Sequence, residues 1–226
     1  MDRNEIISSI TENKIIVILR GLPRDQLLRT AEAVKRGGIR LCEVTFHADG
    51  APSDEEVGAD IRALVEAFGE EIHIGAGTVL TERQAEIAAE ARAEFIISPD
   101  VNPDVIRKTR ELGLVSCPGA LTASEATLAH RAGADFVKLF PVGEVSPSYL
   151  RAITIPLPHI RFLAVGGVNE ENLGAYLRAG AVGAGIASGI VDKELIAAGD
   201  YNGVTALAQK YVAAARAAAE TQTKER

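Results

Sequence analysis

Residues 94–118 read EFIISPDVNPDVIRKTRELGLVSCP, and this stretch contains one complete unit of the fold. The apolar run over 94–99 predicts a buried strand, and residues 103–112 follow with the apolar spacing of a helix. Gly113 stands where a helix C-cap is expected, and a second apolar run over 114–118 predicts the next strand. The stretch therefore predicts a strand–helix–strand unit with two parallel strands.

The same alternation continues on both sides without a break in composition. The predicted strands cover residues 14–20, 39–46, 72–78, 94–99, 114–118, 135–141, 160–166 and 181–188. The predicted helices cover residues 24–36, 54–68, 82–91, 103–112, 124–132, 147–153, 170–179 and 204–220. Eight strands, each followed by a helix, predict an α/β fold of the (β/α)8 TIM-barrel type, with residues 2–13 as an extra N-terminal helix.

The main alternative to a barrel is a doubly wound open sheet. That fold normally carries a G-x-G-x-x-G turn after its first strand, whereas the first strand here ends in Arg20-Gly21-Leu22-Pro23. No linker rich in Pro, Gly or Ser divides the chain. We therefore expect residues 1–226 to form a single barrel domain with a frayed polar tail over 221–226.

Composition limits the classes of function. The chain has 226 residues, a formal net charge of -7 and a pI near 5.2, which argue against a broad nucleic-acid surface. No secretory signal or membrane span is apparent, so a cytoplasmic location is predicted. Cys42 and Cys117 lie in apolar runs, where a cysteine usually acts as a small buried hydrophobe rather than as a disulfide or zinc ligand.

Lys138 is the one charged residue in the run Phe136-Val137-Lys138-Leu139-Phe140-Pro141. Because a buried ammonium without a partner is costly, such a lysine tends to lose its proton and become a nucleophile. The matching chemistry is Schiff-base formation with a carbonyl substrate. The alternatives are a lysine that reaches solvent from a strand end and one that pairs with a buried carboxylate.

Polar residues occur near the ends of several predicted strands, which meet at one mouth of a barrel. Glu43 is a carboxylate in an apolar strand, and burial should raise its pKa toward a value useful for proton transfer. A buried Glu43–Lys138 ion pair without chemistry is the alternative. The other strand-end residues are Arg20, Thr45, Thr78, Ser98-Pro99 and Pro118-Gly119.

Glycines follow the last two predicted strands. Gly166 and Gly167 come after the seventh strand, and Ser188 lies at the end of the eighth. Glycines let backbone N–H groups approach an anion, and the loops after strands seven and eight are the usual phosphate site of TIM barrels. The alternative is that these glycines only make tight turns.

The histidines do not suggest a metal site. His73, His130 and His159 fall away from the predicted mouth, and only His47, just beyond the second strand, could touch a ligand. No set of His, Asp and Glu occupies several strand ends, so no metal is expected.

The chain resembles the class I 2-keto-3-deoxy-6-phosphogluconate aldolase family, which includes enzymes that act on 4-hydroxy-2-oxoglutarate, from about residue 15 to about residue 215. The motifs that carry the resemblance are Ile16-Val17-Ile18-Leu19-Arg20, Glu43-Val44-Thr45, Gly75-Ala76-Gly77-Thr78-Val79, Ile97-Ser98-Pro99, Pro118-Gly119, Lys138-Leu139-Phe140-Pro141 and Gly166-Gly167-Val168.

The resemblance implies a role for each candidate residue. Lys138 would form the Schiff base, Glu43 would be the general acid/base, and Thr78 would contact the pyruvyl carboxylate. The pocket would be shaped by Pro99 and Phe140, and phosphate would be held by Gly166, Gly167 and Ser188, with Arg20. The resemblance also implies a homotrimer that needs neither a metal nor another cofactor.

One position departs from the family pattern. Many members read Glu-Val-Thr-Leu-Arg, and that arginine helps to bind the substrate carboxylate, whereas this chain reads Glu43-Val44-Thr45-Phe46-His47. An imidazole lacks the bidentate fork of a guanidinium, so carboxylate affinity or substrate choice is expected to differ, with Thr45 and His47 still placed at the substrate.

The expected reaction is cleavage of a 2-keto-3-deoxy-6-phospho sugar acid, foremost 2-keto-3-deoxy-6-phosphogluconate, to pyruvate and glyceraldehyde 3-phosphate. Cleavage of 4-hydroxy-2-oxoglutarate to pyruvate and glyoxylate is a further expected activity. The alternatives are a specialist for 2-keto-3-deoxy-6-phosphogalactonate, a phosphosugar isomerase or epimerase, and a non-catalytic phosphosugar-binding barrel. The last two would leave Lys138 without a role in chemistry.

Overall fold

The structure is a computed structural model that describes residues 2–224, with side chains described up to Glu220. Its strands are β1 Ile15–Leu19, β2 Leu41–Thr45, β3 His73–Gly77, β4 Phe95–Ile97, β5 Val115–Cys117, β6 Gly119–Ala120, β7 Val137–Leu139, β8 Phe162–Val165 and β9 Ala181–Ile186. Its helices are α1 Arg3–Asn13, α2 Arg24–Arg36, α3 Asp54–Phe68, α4 Glu82–Glu90, α5 Pro103–Glu111, α6 Ala123–Ala132, α7 Pro147–Thr154, α8 Leu173–Arg178, α9 Lys193–Ala197 and α10 Tyr201–Lys224. A 3-10 turn covers Val142–Glu144.

All strands belong to one parallel sheet in the order β5-β4-β3-β2-β1-β9-β8-β7-β6. The two ends of this order, β5 and β6, are consecutive pieces of one extended segment, separated only by Pro118. β5 pairs with β4, and β6 pairs with β7. The Pro118 carbonyl also accepts a hydrogen bond from the Lys138 N–H at 2.8 Å, so the segment joins both neighbours and the predicted α/β barrel is confirmed.

The prediction of eight strands was wrong by one because Pro118 interrupts the fifth. Proline has no N–H to donate, and the chain changes its pairing partner at this residue. The sequence also gave no sign of α9, a helix of five residues whose N-cap is Asp192. α10 begins before the predicted helix and extends to Lys224, and residues 225 and 226 of the predicted tail lie outside the described part of the chain.

Two hydrophobic layers hold the barrel. Strand side chains alternate, so that in β2 Leu41 faces the barrel interior while Cys42 and Val44 face the surrounding helices. The interior cluster contains Ile16, Leu41, Phe95, Phe136 and Leu163, together with Ile6 and Ile10 of α1. Helix α1 therefore closes the end of the barrel at which the strands begin.

An ion cluster fixes α1 in this position. Asp135, whose side chain is 5% exposed, accepts hydrogen bonds from Nε of Arg3 at 3.3 Å and from Nη1 of Arg110 at 3.3 Å. It also accepts from the backbone N–H of Ser116 at 3.0 Å. Because α1 blocks one end of the barrel, the strand-end residues at the other end are the ones that a ligand can reach.

Candidate active site

Lys138 and Glu43 both point into the barrel. Lys138 is the central residue of β7, and its neighbours Val137 and Leu139 pack against the helices on the outside. Glu43 has the same orientation in β2. The two side chains line one small internal cavity whose other walls are apolar, formed by Ile16, Ile18, Ile97, Leu163, Val165 and Gly185.

Burial moves both groups toward their neutral forms. Glu43 is 2% exposed, and burial raises its pKa to about 7, although Lys138 and Arg20 act in the opposite direction. Lys138 is 7% exposed, and burial lowers its pKa, with Glu43 opposing that shift. Lys138 therefore loses its proton more readily than an exposed lysine does, and the Glu43 carboxyl group titrates near neutrality. Two such groups side by side can exchange protons with a bound carbonyl compound.

The alternative of a simple buried ion pair does not fit this geometry. The described residues form no salt bridge between Lys138 and Glu43, and Oε2 of Glu43 is buried without a hydrogen-bond partner. Nζ of Lys138 instead lies 4.6 Å from the centre of the Phe140 ring. Within the described residues, neither functional group makes a hydrogen bond or an ion pair.

Arg20 and Thr78 meet at the mouth of the barrel. Nη2 of Arg20 donates a hydrogen bond to Oγ1 of Thr78 at 2.9 Å. Thr78 has a φ of 57°, which is unusual for a β-branched residue and costs conformational energy. Backbone strain of this kind is often found at functional sites. Here the strained residue places the Thr78 hydroxyl beside the Arg20 guanidinium.

Two loops follow β8 and β9. We call residues 166–172 the β8 loop and residues 187–192 the β9 loop. Val165 pairs with Gly185, so the loops begin side by side. The backbone N–H groups of Gly167, Val168, Ser188 and Gly189 donate to no protein group among the described residues. Four such donors on adjacent loops suit a phosphate group.

Gly166 and Gly167 have φ values of 82° and 92°, which glycine adopts readily. A Cβ on Gly167 would lie 2.5 Å from the Cα of Gly143, and the N–H of Gly143 donates to the carbonyl of Gly166 at 2.6 Å. These glycines therefore do more than turn the chain, because the Val142–Glu144 turn packs directly against them.

The remaining predicted residues line cavities other than the one that Lys138 and Glu43 line. Thr45 is buried, and its Oγ1 has no hydrogen-bond partner among the described residues. His47 is half-buried and lines a separate cavity of about 490 Å³ with Thr45, so the structure does not bring it to the Lys138 cavity. Arg20 and Ser188 share a third cavity of about 410 Å³.

Pro99 and Phe140 lie just beyond the ends of β4 and β7. A Cβ on Gly119 would lie 2.2 Å from the carbonyl oxygen of Pro99, so only glycine fits beside it. The Phe140 ring packs against Gly166, where an added Cβ would be 3.0 Å from the ring. Phe140 therefore links the β7 strand end to the β8 loop.

Two residues that support the site, Gly77 and Ser98, were named in the sequence only as parts of motifs and were given no role in the site. Gly77 provides the space into which the Glu43 carboxylate folds, and the small residues of Gly75-Ala76-Gly77 were a signal that a neighbouring strand places a large side chain there. Ser98 is 4% exposed, and its hydroxyl donates to the carbonyl of Val79 at 2.7 Å. That bond ties the end of β4 to the segment that follows Thr78.

A further cavity lies elsewhere. It measures about 990 Å³, lies against α1 where the strands begin, and is lined by Arg3, Ile6, Ile72 and Glu94 among others. It contains none of the predicted site residues.

No group of three or more His, Cys, Asp and Glu side chains in the described part of the chain is arranged to hold a metal ion. Within the same residues, no helix is long and apolar enough to cross a membrane.

The fold and the site together define a TIM-barrel protein with a buried lysine and a buried glutamate in one internal cavity. The chain belongs to the KDPG and KHG aldolase family, a family of lyases whose model matches residues 6–207. The abbreviations stand for 2-keto-3-deoxy-6-phosphogluconate and 4-hydroxy-2-oxoglutarate, so the resemblance seen in the sequence is confirmed.

The chain is similar to individual members over most of its length. It is 38% identical over 179 residues to the 2-dehydro-3-deoxy-6-phosphogalactonate aldolase of Escherichia coli K12, covering 79% of this chain and 84% of that one. It is 36% identical over 181 residues to the 2-dehydro-3-deoxy-phosphogluconate aldolase of Treponema pallidum, covering 80% and 83%.

A solved structure extends the comparison to the fold. It is KDPG aldolase from Legionella pneumophila with pyruvate captured at low pH as a covalent carbinolamine intermediate. Its TM-score is 0.78 at 26% identity, and the match covers 92% of this chain and 97% of that one.

Proposed function

We propose that this chain is a class I aldolase that cleaves a 2-keto-3-deoxy-6-phospho sugar acid through a Schiff base on Lys138. The observation that carries the proposal is the pairing of Lys138 with Glu43 in one buried cavity, where burial lowers the pKa of the first and raises that of the second. Membership of the aldolase family supports it.

In the proposed reaction, the neutral Lys138 amine attacks the C2 ketone of the substrate. Glu43 gives a proton to the carbinolamine hydroxyl, and water leaves to form the iminium. The C4 hydroxyl then gives its proton to a base, and the C3–C4 bond breaks. Its electrons pass into the iminium, an aldehyde is released, and an enamine of pyruvate remains on Lys138. Protonation at C3 and hydrolysis release pyruvate and restore the amine.

The polar rim fits the two anionic ends of such a substrate. Thr78 beside Arg20 is proposed to hold the carboxylate near Lys138, with Thr45 as a further donor. The free N–H groups of the β8 and β9 loops, with the Ser188 hydroxyl, are proposed to hold the phosphate. Under this proposal the aldehyde product is glyceraldehyde 3-phosphate.

The proposal is tested by incubating the protein with pyruvate and borohydride and measuring its intact mass. We expect a pyruvate-sized adduct on the wild type and on Lys210→Ala, which removes an exposed lysine, and none on Lys138→Ala. Lys138→Ala should also lose lyase turnover while it remains folded by circular dichroism. An adduct on Lys138→Ala, or a folded wild type without adduct or turnover, would reject the mechanism and favour an isomerase or a binding protein.

The preferred sugar acid needs a separate assay. The E. coli relative acts on the galactonate and the Treponema relative on the gluconate, and these two substrates differ in configuration at C4. We propose the gluconate as the main substrate and the galactonate as the alternative. Comparing kcat/KM for both acids and for 4-hydroxy-2-oxoglutarate decides the question, because equal values would exclude a specialist.

We further propose a homotrimer, a cytoplasmic location and a reaction without a metal or other cofactor. Light scattering coupled to size-exclusion chromatography measures the number of subunits. Turnover that survives treatment with EDTA would support the metal-free reaction, whereas loss of turnover that is restored by a metal would contradict it.

A further inference from the structure

Tyr211 lies behind the β9 loop. It is on α10, outside the barrel, and is 1% exposed. A Cβ on Gly189 would lie 2.0 Å from the Tyr211 hydroxyl oxygen and 2.9 Å from Cζ. The hydroxyl is therefore packed against the Cα of Gly189, which follows Ser188 and carries one of the free N–H groups of the loop.

The same hydroxyl is close to the β8 loop. Burial raises the pKa of Tyr211 to about 12, and the negative charge of Glu170, four residues beyond Gly166, adds to this shift. In the described structure the hydroxyl makes no hydrogen bond of ordinary geometry. A buried hydroxyl without a partner is costly, which favours donation of its proton to the Glu170 carboxylate.

We propose that Tyr211 is a positioning residue for phosphate binding, whose hydroxyl connects the β8 loop at Glu170 to the β9 loop at Gly189. The inference rests on the proposed function, since it assigns the two loops to the substrate phosphate. Tyr211 is on a helix outside the barrel, and its side chain touches neither Lys138 nor the proposed position of the substrate.

Tyr211 acts on phosphate binding through the spacing and the charge of the β8 and β9 loops. A phosphate bound between them needs the N–H groups of both loops at a fixed distance. Glu170 is an anion on one of these loops and would repel the phosphate if its side chain turned toward it. A hydroxyl donor behind the loops holds the carboxylate toward α10 and fixes both loops against the same helix.

The test is Tyr211→Phe, which removes only the hydroxyl. Loss of the hydroxyl and of its interactions with Gly189 and Glu170 predicts a rise of about threefold to tenfold in KM for the phosphorylated substrate, with kcat retained. The dissociation constant of inorganic phosphate, measured by calorimetry, should rise by a similar factor. KM for 4-hydroxy-2-oxoglutarate, which has no phosphate, and the yield of the borohydride adduct with pyruvate should not change.

Tyr201→Phe is the matched control, because it removes a hydroxyl from the same helix at a half-buried ring that packs near Arg29. It should leave every value unchanged. Glu170→Ala provides a second variant, and Tyr211→Phe should have little further effect on KM in that background.

The outcomes separate the inference from the proposed function. A wild type without turnover would reject the proposed function itself. An active wild type with unchanged KM in Tyr211→Phe would overturn the inference alone. Equal effects on the phosphorylated and unphosphorylated substrates would also overturn it, because they would indicate a general loss of packing.

Discussion

The Glu43 carboxylate lies directly over the α-carbon of Gly77 on the neighbouring strand. A Cβ at position 77 would lie 2.6 Å from Oε1, 2.7 Å from Cδ and 3.0 Å from Oε2 of Glu43. The position of the carboxylate therefore depends on the absence of a side chain at residue 77, which itself takes no part in the proposed chemistry.

Gly77→Ala should displace Glu43 and leave the barrel folded. Since a shift of about 1 Å at a catalytic group can cost about 100-fold in rate, we expect a fall of that order in kcat. Overpacking should cost about 1–3 kcal/mol of unfolding free energy. Gly174→Ala, in α8, is the control and should retain full activity, because the nearest obstacle to its Cβ is the flexible Arg178 side chain. Full activity in Gly77→Ala would contradict the role assigned to Gly77.

Glu43→Gln should change the pH dependence of stability. The pKa of Glu43 is raised from 4.5 to about 7, so the folded protein binds more protons than the unfolded chain between these values. The unfolding free energy therefore falls as pH rises from about 4.5 to about 7, by about 3 kcal/mol for this group. Glutamine does not titrate, so this contribution to the pH dependence of the unfolding free energy should disappear in Glu43→Gln.

Urea titrations of both proteins at several pH values measure the effect. At pH 8 the variant should be more stable than the wild type, because it avoids the cost of a buried carboxylate, while kcat should fall about 10²- to 10⁴-fold. Identical pH slopes in the two proteins would show that Glu43 keeps its ordinary pKa.

Thr78→Gly should separate stability from substrate binding. Glycine tolerates a φ of 57°, so release of strain offsets its greater entropy cost and the unfolding free energy should stay the same or rise by about 1 kcal/mol. KM for the keto acid should rise, because the hydroxyl held by Arg20 is lost. Thr78→Ser keeps that hydroxyl and should keep KM near the wild-type value. A large loss of stability in Thr78→Gly would mean that the threonine is there for packing.

Asp135→Ala tests the cluster that holds α1. Loss of a carboxylate that binds Arg3, Arg110 and the Ser116 N–H should cost about 2–3 kcal/mol of unfolding free energy, with kcat retained at the far end of the barrel. Glu90→Ala removes an exposed ion pair with Arg83 and should cost less than about 1 kcal/mol. Equal losses in the two variants would show that burial adds nothing to the Asp135 cluster.

Much of the fold could be predicted from the sequence, because strand and helix periodicity is a local signal. Each of the eight predicted strands has a counterpart, and Gly113 follows the end of α5 with a φ of 78°, as its place in the sequence indicated. The break at Pro118 could not be foreseen in detail. Whether a proline ends a strand or only interrupts it depends on the partners on either side, which lie far away in sequence.

The candidate site was predictable where one residue stood out from its neighbours. Lys138 and Glu43 are charges within apolar strands, and their shared cavity follows from the barrel. The location of His47 in a different cavity could not be predicted, because loop conformation has no periodic signal. The contacts of Tyr211 and Asp135 depend on how helices pack on the barrel, and single residues in amphipathic or apolar runs do not reveal that packing.

In the part of the chain that the structure describes, helix α1 leaves the barrel with a single opening. Ile6 and Ile10 fill its floor, and Lys138 lies inside with 7% of its surface exposed. In the proposed reaction the fragment bonded to Lys138 is the deeper one, and the fragment that carries the phosphate lies nearer to the rim. Under this proposal the phosphorylated aldehyde must leave before pyruvate, so the order of product release follows from the shape of the protein.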